Sequence, residues 1–473
     1  MSPKLKLGFT TLVIAVGVAV ASRARAQEVA TSMMPLRLDD VLASVERTFP
    51  LLKAAELDRA IATGDTLSAE GGFDVSWKTR ATVTPVGYYE NVRIESMFEK
   101  PTSLWGVSTF AGWKLGTGQF PIYDGRLQTL EYGELRAGVN VPLWRNSSID
   151  RRRANLGRAE LGKDIAALSI AEQRIQVRRA AAHRYWAWVA AGRRLVIAKE
   201  LLQNVEGRDA GLGARVDGGD LPRVERTDNA RAIEQRKAQI AVAQRGLEQA
   251  GIELALFLRD AEGKPLPPAP DRMPQNFPEP SAAPMGGSDL SFALSTRPEA
   301  RRFQLQLRQN QVELDWAQNQ LTPGIDLQLA GSQDFGRRLE ARPDLSKPVF
   351  EVSLLLDIPI QTRFMRGRRD VAAATVMRIG HQQAFARDRI EADVRDAHSG
   401  IRGAWDRIEA AKREVMLAVE LEQAERTRFE QGDSHLLIVN IREQQTAEAE
   451  LREIEAFFDY HRAVADLKAA RGE

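Results

Sequence analysis

The chain has 473 residues and no cysteine, and its formal net charge is +2 with 27% charged and 7% aromatic residues. The lack of cysteine excludes disulfides and thiolate metal sites. A near-neutral chain carries no field that would attract nucleic acid, so we expect no nucleic-acid partner. Many charges and few aromatics favour long solvated helices over a thick globular core.

Residues 1–26 are predicted to be a secretory signal peptide. Lys4 and Lys6 form its basic start, an apolar run follows from Leu7 to Ala21, and Ala24-Arg25-Ala26 fits the small-x-small cleavage rule. An apolar run of about 15 residues is too short to span a bilayer as a helix. Cleavage would remove four positive charges and change the net charge from +2 to −2. We therefore expect an exported protein.

The mature sequence is an internal duplication, and a repeat this long identifies an architecture. We place the first repeat at residues 27–258 and the second at 289–473, joined by a Pro-rich linker, 259–288, that we expect to run over the surface. Each repeat has a proline-ended strand, an Arg-rich helix start and a Gly-Asp turn. In chain order these landmarks are Val141-Pro142-Leu143, Arg151-Arg152-Arg153, Gly219-Asp220, Ile358-Pro359-Ile360, Arg368-Arg369 and Gly432-Asp433.

The helical segments have matched lengths. The long helical regions are 149–258 and 365–471, and each contains one uninterrupted helix, at 149–211 and 366–431, that would be roughly 90–100 Å long. Helices of about this length are expected to pack as coiled coils. Shorter return helices are predicted at 222–258 and 435–470. Two further helices are predicted at 38–69 and 289–321, so two short helices stacked end to end match each long one.

Four segments alternate apolar and polar residues with a period of two, at about residues 74–88, 133–143, 324–334 and 348–360. Such a pattern over about ten residues is typical of a membrane barrel strand, although a half-buried strand of a soluble sheet gives the same signal. Glycines interrupt the alternation between Glu90 and Tyr132. We therefore predict a long outer loop there, with room for an extra hairpin.

Four strands in lipid would leave open edges, where each unpaired backbone group costs several kcal/mol. If these are membrane strands, several chains must pool them, because small closed membrane barrels begin at about eight strands. Two copies would supply eight strands and three would supply twelve. The pattern of residues does not choose between these numbers.

The order of helix, strand pair, long helix, turn and return helix, given twice, resembles the TolC-like outer-membrane efflux protein family. The resemblance covers nearly the whole mature chain. It is carried by the strand ends Val141-Pro142-Leu143 and Ile358-Pro359-Ile360, the turn sequences from Arg215 to Leu221 and from Arg428 to Ser434, the run from Leu436 to Asn440, and the closing residues Tyr460, Ala463 and Leu467.

The resemblance implies a mainly α fold with membrane β structure. It implies a homotrimer in the outer membrane whose twelve-stranded barrel continues into a long periplasmic coiled-coil α-barrel. The expected partners are a periplasmic adaptor (membrane fusion) protein, an inner-membrane transporter reached directly or through the adaptor, and outer-membrane lipids. No cofactor and no metal are expected.

The two Gly-Asp turns are the best candidate sites. Glycine supplies the left-handed backbone that a tight turn between helices needs, and the following Asp, or Ser434, can cap the next helix. That structural role is sufficient alone, but the resemblance also implies that the turns dock the adaptor. The candidate docking residues are Gly219, Asp220, Leu221, Gly432, Asp433 and Ser434.

A second candidate site is the periplasmic constriction. The family often has an Asp a few residues after the second turn, whereas this chain has Ile438, with Ile441 one turn later. The departure favours an apolar constriction over an acidic, cation-binding one. Asp228 in the first return helix is an alternative lumen-facing charge, or part of an exposed helix face.

Basic residues flank the junctions between strands and helices. Arg152, Arg153, Arg368 and Arg369 stand at helix starts, where positive charge opposes the helix dipole. Lipid head-group phosphates would compensate them. Solvation with local pairing to Asp150 and Asp370 is the alternative.

Catalytic motifs are absent from the sequence: the five histidines are scattered, and there is no phosphate-binding loop, GxSxG or dinucleotide fingerprint. We therefore expect no enzyme. The family resemblance implies a passive channel-tunnel that forms the exit duct of a tripartite efflux or export system. One alternative is the exit duct of a type I polypeptide secretion system, and another is a periplasmic structural coiled-coil protein with a soluble β-cap. The sequence does not identify the exported substrate.

Overall fold

A computed structural model describes residues 34–121, 127–281, 288–337 and 347–473. The predicted signal peptide lies outside the described residues. The chain divides into two compact units. The described residues within Met1–Ala54, Ala171–Arg297 and Asp388–Glu473 form a helical unit, and those within Ala55–Ile170 and Pro298–Arg387 form a sheet unit.

The helices follow the duplicated order that the sequence predicts. The two long helices have 67 and 68 residues. The long helices end within six residues of their predicted bounds, because a Gly-Asp turn follows each. In chain order the helices are α1 (Leu38–Thr48), α2 (Pro50–Glu70), α3 (Arg151–Asp217), α4 (Arg223–Ala255), α5 (Asp289–Thr296), α6 (Pro298–Asn319), α7 (Arg363–Glu430) and α8 (Leu436–Arg471).

The single helices predicted at 38–69 and 289–321 are each broken in two, so that prediction was wrong. The breaks fall at Phe49, between α1 and α2, and at Arg297, between α5 and α6, and both residues have extended backbone. Each precedes a proline, Pro50 or Pro298, whose ring disfavours the helical conformation of the residue before it. The proline then occupies the first position of the next helix, where its missing N–H costs nothing.

The core of the helical unit is built from small and aromatic side chains on facing helices. On α7, Ile401 and Ile408 pack against Phe457 and Tyr460 of α8. On α3, a further patch that includes Ile197 packs against the other side of α8. Alanines recur in both patches and allow the helix axes to approach closely, as the sequence predicts.

The linker after α4 does not simply run over the surface, which corrects the prediction for residues 259–288. Phe277 packs against three core clusters of the helical unit. Its ring stacks on Trp186 at 6.0 Å and on Phe457 at 5.7 Å between centroids. The Pro-rich composition keeps this segment extended, but a single aromatic side chain is enough to anchor it in the core.

In the described residues, one antiparallel sheet forms the centre of the sheet unit, with six strands in the sequential order β1 to β6. The strands are β1 (Ser76–Thr84), β2 (Asn91–Pro101), β3 (Ser108–Gly118), β4 (Glu134–Pro142), β5 (Gly324–Asp334) and β6 (Val349–Asp357). β1, β4, β5 and β6 occupy the four predicted segments.

The segment between Glu90 and Tyr132 is therefore not mainly a loop: β2 and β3 form a hairpin that is inserted between β1 and β4. These two strands are additional to the four predicted segments, and they confirm the extra hairpin for which the sequence left room. Glycines interrupt the alternation of apolar and polar residues in these strands, and the structure shows why glycine is needed there. A Cβ at Gly112 would collide with Met97, and a Cβ at Gly138 would collide with Phe110, so large side chains lie over glycines of neighbouring strands.

His461 on α8 is buried among aromatic rings in the helical unit. It stacks on Trp186 at 4.2 Å, and its Nε2 lies 3.1 Å from the carbonyl oxygen of Pro278, to which it donates in the neutral form. Burial lowers the pKa of His461 to about 4, against the weaker opposing effect of the bond to Pro278. The neutral ring is therefore part of the folded core.

We expect this histidine to make the helical unit sensitive to acid. Its stabilisation is complete above the unfolded pKa of about 6.5 and is lost as the pH falls towards about 4, because the unfolded chain binds the proton more tightly. The full difference corresponds to about 3 kcal/mol. His461→Phe should reduce the drop in thermal midpoint between neutral pH and about pH 5. His381→Gln, at an exposed site on α7, is the control. An unchanged drop in the His461 variant would contradict the assignment.

Candidate functional site

Both predicted turns have the same backbone geometry. Gly219 has a φ of +82° and Gly432 a φ of +87°. The amide of Asp220 donates to the carbonyl of Arg215 at 2.8 Å, and the amide of Asp433 donates to that of Arg428 at 2.8 Å. With the bonds from Gly219 to Val216 and from Gly432 to Phe429, this is the Schellman pattern that ends a helix at a glycine. The turns are thus fixed by the backbone.

The candidate residues of the turns differ in exposure. Gly219, Asp220, Gly432 and Asp433 are exposed, and Leu221 and Ser434 are half-buried. No side chain caps the following helices: their N-cap residues are Pro222 and His435, and neither forms a side-chain cap bond. The predicted capping by Asp or Ser434 is therefore wrong.

Ser434 has another partner, because its hydroxyl lies against a carboxylate oxygen of the buried Glu425. Arg428 contacts the other oxygen of that carboxylate at 3.5 Å. Ser434 therefore joins its turn to the end of α7 and does not start α8.

The turns of the two repeats are packed together by an apolar cluster. Leu212 of α3, Phe429 of α7, and Leu436 and Val439 of α8 are buried in it, and Leu221 packs against it. The guanidinium of Arg215 lies 5.4 Å from the centroid of the Phe429 ring. We call these residues the tip cluster. Because of the tip cluster the two turns form one surface, although they lie far apart in the sequence.

A buried ion network lies one to two helical turns from the tip cluster. Glu443 of α8 has a side chain only 1% exposed and accepts from Arg208 of α3 through both of its oxygens. Arg426 of α7 donates to the same carboxylate at 3.0 Å. Three helices thus converge on one buried charge, so the loss of that charge would remove a shared carboxylate partner from two guanidinium groups.

Amide side chains extend this network. Arg208 donates to the side-chain oxygen of Asn440 at 2.6 Å, and Asn440 donates to Asp228 at 3.3 Å. Asp228 is half-buried and also pairs with Arg231 at 3.1 Å. Burial lowers the pKa of the nearby Arg236, although the charge of Glu443 acts in the opposite direction.

Sequence reasoning missed this network. Glu443 lies on a helix whose other charges are mostly solvated, and its partners lie on other helices: Arg426 on α7 and Arg208, 235 residues away, on α3. The available signal was the placement of Asn440 and Glu443 one turn apart on the same face as the buried Val439 and Leu436. Polar residues on a buried face need partners, and here the partners are arginines.

Ile438 and Ile441, the predicted constriction, lie on a different face of α8. Their exposed fractions are 36% and 43%, whereas Val439 and Glu443 on the buried face are at 2% or less. Within a single chain, therefore, nothing covers these two isoleucines fully.

The four candidate head-group arginines lie at the ends of helices in the sheet unit. Arg152 is exposed. Arg153 binds Asp150 at 2.7 Å and the carbonyls of Asn146, Ser147 and Ser148, so it organises the loop before α3.

Arg368 lies 3.7 Å from Glu313 and over the ring of Trp316. Arg369 pairs with Asp370 at 2.6 Å. The local pairing to Asp150 and Asp370, which was the alternative considered for these arginines, is thus present for two of the four.

In the described part of the chain, no group of three or more His, Cys, Asp or Glu side chains is arranged to hold a metal ion. Among the same residues, no helix combines the length and hydropathy needed to cross a membrane.

The fold is similar to that of several solved outer-membrane channels. The Vibrio cholerae outer membrane protein VceC has a TM-score of 0.68 with 14% identity, over 92% of this chain and 96% of that chain. The open state of the Neisseria gonorrhoeae channel MtrE has a TM-score of 0.66 with 20% identity, over 92% and 89% of the two chains. The Campylobacter jejuni channel CmeC gives 0.65 with 13% identity, over 92% and 85%.

No family model and no curated protein matches the sequence. The likeness is therefore one of structure, at sequence identities of 20% or less in these three cases. It extends over nearly all of the chain and includes both the long helices and the antiparallel sheet. The chain has the fold of the TolC-like outer-membrane efflux channels, as its sequence predicts.

Proposed function

We propose that the chain is one of three identical subunits of an outer-membrane channel-tunnel that serves as the exit duct of a tripartite efflux or export system. Its sheet would lie in the outer membrane and its long helices in the periplasm. Transport through the duct would be passive, with the energy supplied by an inner-membrane transporter. The likeness to outer-membrane channels supports this proposal.

The single observation that carries the proposal is the exposed apolar face of the sheet. Phe350, Val352 and Leu354 of β6 are 72%, 61% and 66% exposed, and Trp77 of β1 is 67% exposed. Monomeric soluble proteins rarely expose contiguous apolar patches of this kind. A lipid environment would solvate this face, which favours the channel over a periplasmic structural protein with a soluble β-cap.

The turn surface supports a docking role for the periplasmic end. A cavity of about 360 Å³ opens beside the tip cluster, and Gly207 and Gly211 of α3 contribute to its lining. A Cβ at either glycine would meet nothing within 4 Å, so this stretch of helix is open to a neighbour. We propose that an adaptor contacts Asp220 and Asp433 at the turns and inserts side chains beside these glycines.

The network around Glu443 supports a closed resting state. It ties α3, α7 and α8 together next to the turns, and its disruption would loosen all three helices at once. We propose that Ile438 and Ile441 face the lumen and narrow it when three copies assemble. Arg152, Arg368 and Arg369 are proposed to meet lipid head groups, while Arg153 is already engaged within its loop.

Efflux of small molecules and secretion of polypeptides both remain compatible with this duct. In either case the substrate would be selected by the partner transporter, because no described residue cluster of the duct forms an enclosed, chemically specific site.

Membrane integration tests the proposal directly. We expect the mature protein to remain in the outer-membrane fraction after high-salt and alkaline washes and to be extracted only by detergent, because the apolar sheet face would contact lipid. A peripheral periplasmic protein, expressed in the same cells, provides the control. Release of the chain by either wash would contradict the proposal.

Large side chains at exposed turn positions, where they cause no backbone strain, test the docking role of the turns. We expect the double variant Asp220→Trp, Asp433→Trp to abolish export, measured as intracellular accumulation of a fluorescent efflux substrate, while trimers persist. The double variant Asp220→Asn, Asp433→Asn keeps the side-chain size and should export normally. Normal export by the tryptophan variant would show that no partner docks there.

The buried network makes a separate prediction. Glu443→Gln should destabilise the helical unit by about 3 kcal/mol, because two arginines lose a buried charge partner. In planar bilayers the variant should conduct more ions than the parent, since the helices near the turns are less restrained. Glu420→Gln, at an exposed site on α7, is the control. Unchanged conductance in the Glu443 variant would exclude the network as the closing element.

A further inference from the structure

The β2–β3 hairpin is an integral part of the sheet. The ring of Trp77 on β1 stacks on Phe98 of β2 at 5.9 Å, and its Nε1 donates to Ser96 at 2.7 Å. On the other side of the hairpin, β3 pairs with β4 from Ser108 to Lys114. Both outer flanks of the hairpin are therefore fixed to neighbouring strands.

The turn of the hairpin is also anchored. Gly106, with a φ of +71°, leaves no space for a Cβ beside the carbonyl of Asn146 and the guanidinium of Arg153. These two residues belong to the junction between β4 and α3. The hairpin is thus held at its turn as well as along its strands.

The hairpin continues both faces of the sheet. One row of paired residues crosses all six strands on the apolar face: Trp77, Phe98, Ala111, Ala137, Gly331 and Phe350. Without β2 and β3 this row would be interrupted. A lipid-facing sheet requires an unbroken apolar face. β2 and β3 contribute apolar residues to that face, as the other strands do.

The opposite face carries ion pairs between strands, again including the hairpin. Lys78 of β1 pairs with Glu99 of β2 at 2.9 Å, and Lys114 of β3 pairs with Glu134 of β4 at 3.5 Å. Arg136 of β4 reaches Glu351 of β6 at 2.6 Å. Charges on one face and apolar residues on the other match the lumen and the lipid side of a membrane barrel.

The two edges of the sheet are complementary. β1 and β6 each have 9 residues, and because the strands alternate in direction, β1 and β6 run antiparallel to each other. The edge β1 of one copy can therefore pair with the edge β6 of the next with both faces in alignment. Within lipid, unpaired edges cost several kcal/mol per backbone group, so a second copy of this chain is the occupant that fits.

We propose that the hairpin widens the membrane barrel: three copies of the six-stranded sheet close into a barrel of eighteen strands. This inference rests on the proposed trimer. The sequence predicts four strands in each chain, and the family resemblance implies a barrel of twelve. Because barrel diameter grows roughly linearly with strand number, the barrel would be about half as wide again as a twelve-stranded one.

The wider barrel has a consequence for cargo. Barrels of about 16–18 strands leave an aqueous channel, and their lumen is not filled by side chains. The outer-membrane section would then not select cargo by size. Selection by size would fall to the periplasmic end, where Ile438 and Ile441 are proposed to narrow the lumen.

The decisive experiment is to count strands by electron cryomicroscopy of the full mature chain in lipid nanodiscs. We expect three copies and eighteen strands. Three copies with twelve strands would overturn this inference and leave the proposed duct intact. A ring of two copies with twelve strands would overturn both the trimer and the eighteen-stranded barrel. A chain that does not enter nanodiscs would contradict the proposed function itself.

A second measurement uses the absence of native cysteines. The hydroxyl oxygens of Thr79 and Ser96 are 3.0 Å apart between β1 and β2, and Ala111 pairs with Ala137 between β3 and β4. In outer membranes, the pairs Thr79→Cys/Ser96→Cys and Ala111→Cys/Ala137→Cys should oxidise without loss of trimers. Failure of both pairs in folded trimers would show that the hairpin leaves the sheet on insertion.

A matched deletion tests the width. Removal of Asn91–Gly118 deletes β2 and β3 and connects the end of β1 directly to the start of β4. The deletion should reduce the barrel to twelve strands, with a diameter lower by about a third. A deletion variant that inserts with an unchanged barrel diameter would overturn the inference. If the variant does not fold, the strand count of the parent still decides.

Discussion

The strongest constraint on this structure is the backbone of its two edge strands. β1 and β6 each present unpaired N–H and C=O groups, and water can satisfy them only while the sheet stays outside lipid. The exposed apolar face next to them has the opposite requirement, because it is stable only away from water. A single chain cannot meet both demands. In the proposed trimer, pairing of edges between copies would satisfy the backbone groups, and lipid would cover the apolar face, so assembly and membrane insertion would be coupled.

The linker is a central part of the core that the helical unit forms within one chain. The duplicated halves would otherwise share only helix faces, but Phe277 contacts clusters that involve α3, α7 and α8. The neutral ring of His461 completes the same aromatic group and holds the linker carbonyl of Pro278. A core made from few large rings and many alanines explains how long helices pack closely with only 7% aromatic residues.

Much of this fold could be predicted from the sequence, and the failures have identifiable causes. Helix lengths and the Gly219 and Gly432 turns follow from local chemistry, because periodicity and glycine act over a few residues. The β2–β3 hairpin was hidden because Gly112 and Gly116 make room for neighbouring atoms of the sheet, which only the pairing reveals. The partners of Glu443 lie on other helices, so they could not be predicted from a local pattern, although its place on the buried face of α8 was a signal of its burial.

The two ends of the proposed duct therefore depend on different interactions. The sheet depends on hydrogen bonds that a second copy must supply, and such bonds in lipid have no competing water to replace them. The turns are fixed by backbone hydrogen bonds, and the helices next to them are joined by a buried network in which Arg208 and Arg426 meet one carboxylate. Buried ion pairs contribute little net stability because desolvation offsets their attraction, yet they hold one geometry and are sensitive to the loss of any partner. That difference in chemistry supports the proposal of a permanent barrel and of a periplasmic end that can open.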